Sequence, residues 1–134
     1  MLPSFEEYNR LVYSIMDIPS VKGSTLILKP IGATVWELEG EVEFGKGITL
    51  SISEQINFEL GIIARYFYLV CRGDERLYWY DPQPHPHDPT LASTHPHHKH
   101  VPPDIKHNRI SAPDLSFDKP NLPFLIEEIE RELL

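Results

Sequence analysis

The chain has 134 residues, with 20 acidic against 12 basic side chains and a formal charge of −8 at neutral pH. That length holds one small core, and a hydrophobic content of 41% supplies it, which argues against a disordered chain and against several domains. The acidic balance excludes broad, salt-driven affinity for duplex DNA, and a lone cysteine, Cys71, excludes an intrachain disulfide.

Residues 1–7 lack the basic start and apolar stretch of a signal peptide, and no apolar run approaches the roughly 20 residues of a membrane span. A soluble cytoplasmic protein with no membrane partner is expected. From Ser4 to Ile15, Phe5, Tyr8, Leu11, Val12 and Ile15 recur at helical steps, with Ser4 and Glu7 forming a capping-box pattern. Ser24 to Lys29 reads as a short strand ended by Pro30. Between Thr34 and Phe44, Trp36, Leu38, Val42 and Phe44 alternate with Glu37, Glu39, Glu41 and Glu43, the pattern of a half-buried antiparallel strand. Gly45-Lys46-Gly47 turns the chain, and Ile48, Leu50, Ile52, Ile56 and Phe58 continue the alternation. Ile62 to Cys71 is apolar apart from Arg65, as in a central strand covered on both faces, and Leu77 to Tyr80 returns beyond Gly73 and Asp74.

At Asp81 the composition changes. Ten of the 13 prolines and all seven histidines follow, the histidines between positions 85 and 107. Proline removes backbone donors and fixes its own torsion, so residues 82–120 are expected to run as extended or turning chain over the sheet. Residues 121–134 complete the chain as a helix, with Leu122, Leu125, Ile126, Ile129 and Leu133 inward, Glu127, Glu128, Glu130 and Glu132 outward, and Asn121 or Asp118 as cap. The expectation is a single α+β domain over 1–134: an antiparallel meander of four to five strands in residues 1–81, an N-terminal and a C-terminal helix, and a long His/Pro-rich loop. An unpaired edge strand makes a homodimer plausible.

Between His85 and Arg109 there are three basic groups against two acidic ones, whereas residues 1–81 carry seven against twelve. Positive charge therefore concentrates in the histidine segment. Surface histidines without a role are the simplest explanation. A metal site is a second, because imidazole binds zinc or nickel; the candidate ligands are His85, His87, His95, His97, His98 and His100, and strand alternation would place His98 with His100 on one side. The third is cleavage of RNA by an interferase-like ribonuclease without an obligatory metal, in which the 2′-hydroxyl attacks its own phosphodiester. Histidine suits both proton transfers because its pKa lies near working pH. Here His98 and His100 form the preferred pair, His97 and His107 are alternates, and Asp104 orients an imidazole. Lys99, Lys106, Asn108 and Arg109 would contact substrate. A pair with a phosphate between its rings calls for nitrogens roughly 5–8 Å apart, so that each reaches its proton. Tyr78, Trp79 and Tyr80 lead into the segment as candidates for base stacking.

The run His95-Pro96-His97-His98-Lys99-His100, then Pro103-Asp104-Ile105-Lys106-His107-Asn108-Arg109-Ile110, then Leu115-Ser116-Phe117 and Pro120-Asn121-Leu122-Pro123, resembles the TumE family. Its members are small proteins regarded as the toxin component of toxin–antitoxin systems. The resemblance rests chiefly on residues 78–134. It implies a cytoplasmic prokaryotic toxin neutralised by a co-encoded antitoxin protein; the roles given to single residues remain inferences from their chemistry.

Overall fold

A computed structural model describes residues 1–134. Helix α1 (Phe5–Ser14) begins where Ser4 Oγ accepts the Glu7 amide at 3.2 Å, and the Glu7 carboxylate in turn accepts the Ser4 hydroxyl. Tyr8 and Val12 form its buried stripe, and a single 3₁₀ turn carrying buried Ile15 ends it.

Eight antiparallel strands follow, more than the four to five expected: β1 (Val21–Ser24), β2 (Ile27–Pro30), β3 (Val35–Phe44), β4 (Ile48–Asn57), β5 (Ile62–Arg72), β6 (Glu75–Asp81), β7 (His98–His100) and β8 (Arg109–Ser111). Each of β3 to β7 pairs with the next in sequence, and β1 and β2 share the free edge of β3. Two features of sequence account for the extra strands. The stretch expected to be one strand divides into β1 and β2 where the Thr25–Leu26 backbone crosses Gly40; an added Cβ there would lie 2.7 Å from the Thr25 carbonyl oxygen, and the glycine adopts φ +141°. In the His/Pro segment, residues 97–101 and 104–112 contain no proline, so two short runs keep the amides needed to extend the ladder. Six residues of the segment thus lengthen the sheet at its edge, and the stretch before them turns against it through a 3₁₀ helix at Pro89–Thr94, with Leu91 buried and His85 set against His98.

Helix α2 (Leu122–Glu132) packs on the same face as α1. Tyr8 reaches Glu54 on β4, Tyr80 on β6 donates to Glu128 at 2.8 Å, and Phe5 stacks beside Trp36 on β3 with ring centroids 4.3 Å apart. The Asn121 side chain does not cap α2. It accepts from the Ser116 amide at 2.9 Å and donates to the Tyr68 hydroxyl at 3.0 Å, while Asp118 accepts from Ser116 Oγ. Glu128, expected outward, is buried. The β5 strand is buried on one face only: Tyr66, Tyr68 and Val70 point into the core, and Phe67 is 40% exposed on the other side. One face of the sheet is therefore covered by α1 and α2, and the opposite face carries side chains of β3 to β8 with no α-helix over them. No helix is long and apolar enough to cross a membrane.

Candidate active site

The register of β6, β7 and β8 decides which residues meet. Asp81 lies opposite His98, Trp79 opposite His100, and Tyr80 opposite Lys99; His98 is followed across β8 by Ser111, and His100 by Arg109. Side chains alternate along a strand, so Trp79, Asp81, His98, His100 and Arg109 share the face opposite α1 and α2, and Lys99 points through to α2.

The imidazoles meet at their Nε2 atoms, 3.1 Å apart. His98 Nε2 is 3.1 Å from Asp81 Oδ1, and His100 Nε2 is 3.3 Å from Asp81 Oδ2. The far nitrogens are fixed by backbone: His98 Nδ1 donates to the Pro96 carbonyl at 3.0 Å and His100 Nδ1 to the Ile105 carbonyl at 2.8 Å. A carbonyl only accepts, so both rings carry hydrogen on Nδ1 and, when neutral, both aim an Nε2 lone pair at the shared space. Asp81 is held by the Trp79 indole N–H at 3.0 Å on Oδ2 and by the Gln83 amide at 2.9 Å on Oδ1. Trp79 also stacks on His100 with centroids 4.4 Å apart, and His85 stands edge-on to His98 at 4.8 Å.

Electrostatics separate the two rings. Burial disfavours charge on His98, but the Asp81 carboxylate and the Pro96 carbonyl outweigh it and its pKa is raised. His100 is held below the usual histidine value, chiefly by burial, despite Ile105 and Asp81. Burial also opposes charge on Asp81, yet His98, the Gln83 amide and Trp79 draw its pKa down to about 2. A proton added to the pair therefore favours His98 over His100. The positive charge of Arg109 acts on His85, His98 and His100, and its Nε is buried without a hydrogen-bond partner. The 3.1 Å separation of the nitrogens is far shorter than a pair straddling a phosphate requires.

The other candidates stand elsewhere. His97 sits on the helix side of the sheet, stacked on Tyr66 and bonded to its hydroxyl at 2.6 Å, and burial lowers its pKa. His107 pairs with Asp104 at 3.2 Å, both exposed and apart from the buried rings. Lys99 forms an ion pair with Glu128 at 3.1 Å and lies over the Tyr78 ring at 4.1 Å, a packing role beneath the sheet. His87, His95 and Lys106 are exposed, and Asn108 is half-buried, its backbone carbonyl accepting from Val101 at 3.0 Å. His85 and His95 line an open groove with Pro86, Asp88, Pro89 and Ala92, and the His85 ring separates it from His98.

Asp81 went unnoticed in the sequence because it closes a strand and lies 17 positions from His98. Tyr78 and Tyr80 belong to the core, and Trp79 is covered by His100, which leaves Phe67 as the exposed ring beside the site, 6.2 Å from Trp79. Comparison with curated proteins and with solved structures found no match. A family model described as Toxin TumE matches residues 16–133, a span that takes in every strand, the whole histidine segment and α2. With nearly its full length covered by that model, the chain belongs to the TumE toxin family.

Proposed function

We propose that this TumE-family protein acts in the cytoplasm as a toxin that cleaves RNA at the Asp81–His98–His100 centre and is restrained by a co-encoded antitoxin. The supporting observation is the convergence of a carboxylate, two imidazoles and a guanidinium on one face of β6, β7 and β8. In the reaction the 2′-oxygen bonds to phosphorus, the bond to the 5′-oxygen breaks, one proton leaves the 2′-hydroxyl and one reaches the 5′-oxygen. Nitrogens 3.1 Å apart cannot flank a phosphoryl group. His98 and His100 therefore act together on the 2′-hydroxyl, taking its proton, and water supplies the proton that reaches the departing 5′-oxygen. Arg109 meets the charge that builds on the phosphoryl oxygens, and Phe67 offers a ring for one base.

The test is to induce the wild type, His98→Ala/His100→Ala and Arg109→Ala in cells lacking antitoxin, following growth and RNA integrity. Loss of a proton-transfer group costs about 10² to 10⁴ in rate, so the double variant should leave RNA intact. Circular dichroism of the purified variants confirms that the fold is retained. Equal toxicity of the wild type and the folded double variant removes the assignment.

A further inference from the structure

We infer that Asp81, His98 and His100 bind a divalent transition-metal ion of the zinc class. This rests on the proposed use of the same centre as the reactive one and changes the part played by the two rings, which with the ion bound are ligands and no longer proton carriers. Three observations carry it. The two Nε2 atoms are 3.1 Å apart, near the roughly 3.3 Å edge that metal–nitrogen bonds of about 2.0–2.1 Å give a coordination tetrahedron, and each faces its own oxygen of Asp81, at 3.1 and 3.3 Å, so that one ligand atom from each residue lies within 4.8 Å of the others. Both Nδ1–H groups are committed to backbone carbonyls, which fixes the tautomer and turns the Nε2 lone pairs inward, as metal-bound histidines require. The carboxylate is itself oriented by the Trp79 indole and the Gln83 amide.

Two imidazoles and a carboxylate form an N/O donor set suited to zinc and its neighbours rather than to calcium or magnesium. Three protein ligands leave a fourth position for water or substrate, the mark of a reactive site rather than a structural one. With a dication in place, one carboxylate and two neutral rings leave net positive charge, to which Arg109 adds. An anionic fourth ligand, hydroxide or a phosphodiester oxygen, answers that excess.

Tag-free protein dialysed against chelator-treated buffer is assayed by elemental mass spectrometry, then titrated with zinc and with cobalt(II). The wild type should hold one zinc per chain. Folded Asp81→Asn and His100→Gln variants should bind about 10²-fold more weakly, at least the loss seen when a supporting partner of a metal ligand is removed. Substitution of the exposed His87, His95 and His107 by Ala should change nothing. Should the ligand variants fail to fold, the wild type alone decides, through the strong visible bands of tetrahedral cobalt. A wild type without saturable zinc binding, binding unchanged in the folded ligand variants, or only the weak bands of octahedral cobalt overturns the inference. Zinc bound by a protein that leaves RNA intact supports the metal and removes only the nuclease proposal. RNA cut undiminished by metal-stripped protein overturns the metal's part in the reactive centre and leaves the nuclease.

Discussion

Glu54 shows how one residue departs from a pattern that otherwise holds. On β4 the inward positions are Ile48, Leu50, Ile52, Glu54 and Ile56, so a carboxyl stands in an apolar row, accepting from the Tyr8 and Tyr68 hydroxyls while Asn121 donates to Tyr68. The gap at 54 in the alternating series is visible in the sequence; the tyrosines that fill it come from α1 and β5 and are not. Burial raises the Glu54 pKa and the two hydroxyls draw it back only in part. The fold therefore prefers the protonated acid. That preference stabilises fully below the unfolded value near 4.5 and is lost as pH climbs through the folded value. Glu54→Gln should melt above the wild type at pH 8 and reduce the difference in Tm between pH 5 and pH 8. A variant less stable than the wild type at pH 8 contradicts this account. Tyr8→Phe, which leaves one acceptor site empty, should cost about 1.5–3 kcal/mol in urea unfolding at neutral pH.

Among the elements, α2 and β7 are joined by the Lys99–Glu128 pair, with Tyr80 donating to the same carboxylate oxygen and both charges largely buried. Lys99→Met should destabilise by about 3–5 kcal/mol because Glu128 is left as a buried charge. Adding Glu128→Gln, which still accepts from Tyr80, should recover roughly half of that loss; a double variant no better than the single one would show that the pair is not the source. The sequence displays β3 and β4 plainly because their apolar and polar residues alternate over ten positions each. It conceals β7 and β8, three residues each, because composition over a wide window is dominated by proline while pairing depends on the few residues between prolines. The same local alternation does foretell that His98 and His100 share a side. Which partner they meet there is a matter of register with β6, fixed only by the folded chain.

Across the whole molecule, the face opposite α1 and α2 has two electrical ends. Glu37, Glu39, Glu41 and Glu43 line it along β3, and Arg109 with the histidines lies at the β7–β8 end. If RNA is the substrate, the acidic end repels its backbone and confines it to the far side. Changing Glu39, Glu41 and Glu43 to Gln should then tighten binding of a single-stranded RNA about three- to tenfold at low ionic strength, and the gain should vanish at high salt. An affinity indifferent to these charges would place the RNA elsewhere.

Lys99 lies between His98 and His100 in sequence yet points the opposite way, so the strand that carries the two rings is tied to α2 through the residue between them. A protein that pries this helix loose would disarm the toxin from behind. An inhibitor of that kind needs no resemblance to a nucleic acid and no entry to the groove, and its grasp could be screened for by change in the environment of rings it never touches.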